Sequence, residues 1–123
     1  MDVLQIYQCF CEKTRLRIVH LLLGGPMCVC HFQAALEEPQ VKISRHLAYL
    51  KDRHMVEAER SGQWMIYRIP AKPPSLLRLH LTCLQDGVSE EKVFQADLAR
   101  WKLLRRELDV QSACSARQPL IQA

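Results

Sequence analysis

Through the first half of the chain, apolar residues return every three or four positions, the period of helices that bury one face. A first helix is expected over residues 2–11. Thr14 then resembles the N-cap of a second helix, in which Leu16, Val19 and Leu23 keep helical spacing until Gly24-Gly25-Pro26 stops it. A short third helix is expected from about Cys28 to Leu36. Glu38-Pro39 opens a fourth, because proline is tolerated in a first turn. In the fourth, Ile43, Leu47 and Leu50 fall at i, i+4 and i+7 and form a core stripe. Lys42, Arg45, His46, Tyr49 and Arg53 gather on a separate face.

The period then changes. The stretch "VEAERSGQWMIYRI" reads as a hairpin turning at Ser61-Gly62. Met65, Tyr67 and Ile69 fall on one side of its second strand, and Trp64, Ile66 and Arg68 on the other. After Pro73-Pro74, "SLLRLHLTCL" carries Leu76, Leu77, Leu79, Leu81 and Leu84 around most of a helix. A small domain has too little to cover both sides of such a helix, so a second copy of the chain is expected against Leu77, Leu81 and Leu84. A last helix is expected from near Ser89, with Glu90 and Glu91 in its first turn and Arg105 and Arg106 near its end, as the helix dipole favours. Phe94, Leu98, Trp101, Leu104 and Leu108 make its apolar face. From about Val110 the chain turns polar and is expected to be disordered.

Three helices, a tight turn, a basic fourth helix and a hairpin make a winged helix-turn-helix. The fold class is therefore mostly α with a small β-hairpin, and homodimeric. Residues 1–72 are expected to form a DNA-binding core, 73–109 the dimerisation and C-terminal helices, and 110–123 a disordered tail. Such a fold lays its recognition helix in the major groove of double-stranded DNA. Here that helix would present Gln40, Lys42, Ser44, Arg45, His46 and Tyr49. Glutamine can pair with adenine, Arg or Lys with guanine, and Ser with either a base or a phosphate. Arg60 and Gln63 flank the hairpin's glycine turn, placed for the DNA backbone or minor groove. The plainer reading of Lys42, Arg45 and Arg53 is a solvated helix face.

Composition narrows the chemistry. A chain of 123 residues is one domain, and its longest apolar run, around Ile18 to Leu23, is far short of a membrane span. "MDVLQIYQ" has no basic region, no signal-peptide core and no small-residue cleavage site, so a cytoplasmic protein with no membrane partner is expected. A net charge of +4 leans weakly toward an anionic partner. The six cysteines, Cys9, Cys11, Cys28, Cys30, Cys83 and Cys114, then suggest metal or redox chemistry rather than a disulfide scaffold. A thioredoxin-like enzyme would need C-x-x-C in an α/β pattern, and an arsenate reductase an oxyanion-binding loop beside its thiol. Neither is evident, and no enzyme is expected.

"QVKISRHLAYLKDRHMVEAERSGQWMIYRI" resembles the recognition helix and wing of the ArsR family of bacterial metalloregulatory repressors. "EKTRLRIVHLLL" resembles that family's second helix, and "MCVCHF" the arsenic-binding segment of its arsenic-responsive members. The resemblance covers about residues 5–70, with S-R-H-L, G-x-W-x-x-Y-R and C-V-C in the right order and spacing. It implies a homodimer that binds a palindromic operator, needs no cofactor for DNA binding, and leaves when the inducer, As(III) or Sb(III), binds. Two positions depart from the family pattern around the recognition helix. Pro39 stands where a Ser commonly caps, leaving the capping to Glu38, and His54 stands where a Gly usually ends the helix.

As(III) and Sb(III) are thiophilic and take three thiolates in a pyramid, and Cd(II) or Pb(II) also favour sulfur. Cys28 and Cys30 would supply two, at a helix start whose N–H groups favour the thiolate. Residues i and i+2 point about 200° apart on an ideal helix, so joint binding requires the backbone to leave helical geometry. That strain would tilt the recognition helix away from DNA. Arsenic-responsive relatives often carry a third Cys three residues later, where this chain has Gln33. The third ligand is open among Cys11, an exogenous thiol, and the carbon of a methylated arsenical. Cys9 and Cys11 are expected first of all as buried core residues, His31 on the surface, His80 and Cys83 in interface packing, and Cys114 in the tail without a Cys neighbour. The competing reading keeps the DNA reader and makes the signal oxidative, through disulfides among Cys9, Cys11, Cys28 and Cys30.

Overall fold

The computed structural model describes residues 1–88 and 90–110, the side chains of 108–110 excepted. Ser89, Leu108's side chain and the tail with Cys114 lie outside the described residues. The order is α1 (Val3–Phe10), α2 (Lys13–Leu22), β1 (Met27–Cys28), α3 (Val29–Leu36), α4 (Gln40–Asp52), β2 (Glu57–Ser61), β3 (Trp64–Arg68), α5 (Ser75–Gly87) and α6 (Lys92–Val110).

Local chemistry sets most of these boundaries. Asp2 caps α1 by accepting the Leu4 N–H at 3.1 Å. Glu12, not Thr14, caps α2: its carboxylate accepts the N–H groups of Thr14 and Arg15, each at 3.1 Å. Thr14 is already inside the first turn and buried. Pro39 occupies the N-cap of α4 without a side-chain cap bond. Glu38 does not cap either, because cations draw its carboxylate away: Lys42 Nζ at 3.1 Å and Arg17 Nη1 at 3.5 Å. Both helices of the helix-turn-helix end on non-glycine residues in left-handed backbone, Glu37 (φ 56°) after α3 and His54 (φ 62°) after α4. His54 thus adopts the left-handed backbone for which a Gly is usual at that place.

The hairpin pairs β2 with β3 from Glu57↔Arg68 to Ser61↔Trp64, turning through Gly62 at φ 64°. A short strand that the sequence pattern did not indicate, β1, joins it. Met27 pairs with Tyr67 and Cys28 with Ile66, so the sheet order is β1-β3-β2, all antiparallel. The third helix therefore begins at Val29 rather than at Cys28.

One core runs through the chain, across the expected division at residue 72. Ile6, Ile18, Leu21, Met27, Phe32, Ile43, Leu47 and Leu50 join Leu77 and Trp101 in it. Leu77, Leu81 and Leu84, assigned from sequence to a partner copy, are buried inside their own chain. The apolar side chains left in the open on α1 and α5 are Val3, Leu4, Tyr7 and Leu79, the last 66% exposed. Helix α6 starts later than expected and runs to Val110, where the chain was read as becoming disordered. Its Asp97 is fully buried and bidentate to Arg17, at 2.8 Å in both bonds. No helix among the described residues is long and apolar enough to cross a membrane.

Candidate thiol site and nucleic-acid interface

The added strand decides the thiol geometry. Cys28 is the last residue of β1 and the N-cap of α3, with extended backbone (φ −100°, ψ 169°). The angular separation of two helical residues does not apply to it, and the Cys28 and Cys30 sulfurs stand 2.9 Å apart. The backbone departure expected as strain on ion binding is thus already present in the fold.

The pair is poised as a thiolate and a thiol. The Cys30 thiol donates to Cys28, and His31 adds further hydrogen bonds, among them its backbone N–H to the Cys28 sulfur. Against the effect of burial, these hold the Cys28 thiol at a pKa of about 4. Cys28 is buried and Cys30 exposed, so solvent reaches the pair through Cys30.

His31 was expected on the surface and is 5% exposed. Its Nδ1 accepts the Cys28 N–H at 3.3 Å, and its ring lies 4.9 Å from that of Trp101, centroid to centroid. Helix α6, far along the chain, covers it, and no local pattern could have shown that. Cys28, Cys30 and His31 offer donor atoms within 4.8 Å of one another. Cys11 does not join them: it is exposed at the C-cap of α1, and its thiol donates to Gln8 O at 3.2 Å. Cys9 is buried in the core, where burial raises its thiol pKa. Cys83 is exposed, whereas His80 engages Leu76 O and the Tyr7 ring and hydroxyl.

Of the residues predicted to read DNA, Gln40 and Arg45 are exposed on α4, Ser44 and Lys42 are half-buried, and Arg60 and Gln63 are exposed at the wing tip. Lys42 is held by Glu38. Val41, outside the predicted set, is 76% exposed in the first turn. Two members of the predicted set face inward. His46 is 8% exposed, with Nε2 at 3.4 Å from Glu12 and Nδ1 at 3.4 Å from Arg15. Burial lowers its pKa, in part offset by the Glu12 carboxylate. Tyr49 is half-buried, with the guanidinium groups of Arg53 and Arg15 at 3.5 and 4.1 Å from its ring centroid. Arg15 also donates to Cys9 O and Gln8 O, so it ties α1 to the recognition helix.

A family model described as "Bacterial regulatory protein, arsR family" matches residues 12–58. The chain is 38% identical over 90 residues to the arsenical resistance operon repressor of Escherichia coli K12, covering 69% of this chain and 77% of that one. This chain belongs to the ArsR family. A second relative, the arsenic resistance transcriptional regulator ArsR1 of Pseudomonas putida, is 36% identical over 86 residues, 69% of this chain and 67% of its own. Among solved structures, the AntR antimony-specific transcriptional repressor is similar at a TM-score of 0.56 with 29% identity, over 72% of this chain and 81% of that one. Reduced HlyU from Vibrio cholerae shares the fold at a TM-score of 0.64 with 20% identity, over 72% and 90%. The winged helix-turn-helix of the ArsR family is thus the architecture of this chain.

Proposed function

We propose that this chain is a metalloid-responsive transcriptional repressor. It binds a palindromic operator as a homodimer and dissociates when As(III) or Sb(III) binds the thiolates of Cys28 and Cys30. The observation that carries the reading is the 2.9 Å sulfur pair at the start of α3, the helix before the recognition helix. The relatives named for arsenic and antimony support the choice of ion.

Gln40, Val41, Ser44 and Arg45 form the reading face, with Val41 apolar as contact with a thymine methyl requires. Arg60 and Gln63 meet the backbone or minor groove, and phosphate contacts of this kind make binding salt-dependent. Lys42, His46 and Tyr49 position the helix through Glu38, Glu12 and the two arginines. The dimer uses the open apolar side chains Leu4, Tyr7 and Leu79. At the sensor, Cys28 and Cys30 supply two sulfurs, and an exogenous thiol or the carbon of a methylated arsenical supplies the third donor. Loading the pair pulls on the cap of α3 and shifts α4 on the DNA.

Operator binding by Cys28→Ser and Cys30→Ser variants tests this. Both should bind as tightly as the parent chain and stay bound when arsenite is added. Normal release by both would refute the site. Release by peroxide without metal, abolished by reductant, would favour the oxidative reading instead.

A further inference from the structure

The two-thiolate sensor does not use the nitrogen donor beside it as a ligand. The His31 imidazole is almost fully buried, yet its hydrogen bonding is poor. Its bonds run to Cys28 alone, whose N–H Nδ1 accepts at 3.3 Å and whose sulfur the ring also hydrogen-bonds, and Nε2 is buried with no hydrogen-bond partner among the described residues. Buried polar atoms are nearly always satisfied, so keeping an imidazole here, at the cost of an unpaired Nε2, calls for a reason. Packing against Trp101 does not supply one, since a phenyl ring would pack there without leaving a polar atom unpaired.

Resting on the reading of Cys28 and Cys30 as the sensor, we propose that His31 Nδ1 makes it a Cys2His site for a divalent group 12 cation, Zn2+ or Cd2+. Three donors of this mixture, with a fourth position left to solvent, form a recurring zinc set. Imidazole suits such borderline ions, whereas trivalent arsenic takes sulfur and has no use for the nitrogen. The distances agree. A tetrahedral ion with bonds of about 2.3 Å to sulfur and about 2.0 Å to nitrogen holds its donors roughly 3.5–3.8 Å apart. The sulfurs stand at 2.9 Å and all three donors lie within 4.8 Å, so the site closes by small side-chain movements. The fourth position falls to solvent on the side of exposed Cys30.

The exchange balances. Cys28 enters as the thiolate, Cys30 releases its proton to water, and Nδ1 turns its lone pair from the Cys28 N–H to the ion. That opens one bond of the cap at the start of α3 and turns the imidazole against Trp101. The divalent ion and the metalloid therefore act on the same cap, but only the former needs the histidine.

The test uses the full chain with Trp64→Phe, which leaves Trp101 as the fluorescent reporter. Cd2+ is titrated against a competing chelator, with sulfur-to-cadmium absorbance, cadmium-113 NMR and Trp101 emission as readouts. Arsenite-driven operator release is followed in parallel. His31→Phe keeps the packing on Trp101, and His31→Gln serves as a second variant if Phe disturbs folding. Cd2+ affinity should fall in these variants by at least the roughly 10–100-fold that loss of an outer-shell partner costs. Arsenite release should persist. Unchanged Cd2+ affinity, or a cadmium resonance without a nitrogen donor, would overturn the histidine's role and leave the metalloid reading standing. A parent chain that releases DNA with arsenite but does not bind Cd2+ would do the same. Response to neither ion would overturn both.

Discussion

The two ends of α3 are built from opposite materials. At the C-terminal end, Arg17 donates to Leu36 O at 2.9 Å and Arg100 to Ala35 O at 2.6 Å. Both arginines bond the fully buried Asp97 at 2.8 Å, and Arg100 reaches Glu37 at 3.5 Å. These charge-assisted bonds satisfy the carbonyls that a helix end leaves open, just before the turn into α4. At the N-terminal end stand a thiolate, a thiol and an imidazole, joined by a sulfur pair at 2.9 Å and an N–H···N bond of 3.3 Å, with Cys30 open to solvent. The difference teaches which end can change. On the proposed function, ligand chemistry acts at the thiol end, while the ionic end ties α3 to α6 through Arg100.

The largest expected effect breaks the hard end. Asp97→Ala leaves the buried Arg17 with only the longer Glu38 contact at 3.5 Å, and denaturant unfolding should show a loss of about 3–5 kcal/mol. A loss under about 1 kcal/mol would mean that this cluster does not hold the helix end. Arg100→Ala, which removes the bonds to Ala35 O and Asp97 but leaves Arg17 paired, should cost about 1–3 kcal/mol on the same assay. Cys28→Ser acts at the other end of α3. It should remove a coupling of about 1–3 kcal/mol, seen as a roughly 5–150-fold fall in operator affinity on adding arsenite to the parent chain alone.

The smallest effects are titrations. Cys30→Ser takes away the strongest support of the Cys28 thiolate, so the pH midpoint for alkylating Cys28 should rise from about 4. The sign for stability follows from that lowered pKa. The unfolded thiol titrates near 9.0, so the contribution is complete above that pH, shrinks as pH falls, and is gone below about 4. His46 gives a gentler signal. Burial sets its folded pKa below 6.5, so acidification through 6.5 should weaken the fold, and His46→Phe should flatten that limb of the stability profile.

The recognition helix, the hairpin and the core stripe of α4 were legible in the sequence because each rests on local periodicity or a local turn. Ile43, Leu47 and Leu50 are all fully buried, as their spacing required. The C-V-C segment was legible as chemistry, by residue type and order. What escaped rests on contacts between distant segments. Strand β1 needs β3 as its partner, and two residues carry no readable alternation. His31 is covered by Trp101, and Asp97 is buried by Arg17, 80 residues away in sequence. His46 looked like a DNA contact because it sits among basic residues, but Glu12 and Arg15 draw its ring inward. Leu77, Leu81 and Leu84 looked surplus to a small core, yet that core reaches them.

By itself, then, the sequence determined the order of the helices and the hairpin, the reading helix and the presence of two nearby thiols, since hydrophobic period and side-chain chemistry are local properties. The tertiary structure decided that Cys28 is extended rather than helical, that its sulfur meets that of Cys30, and that an imidazole stands buried beside them. Those follow from strand pairing and from the cover supplied by α6, which exist only once distant parts of the chain meet.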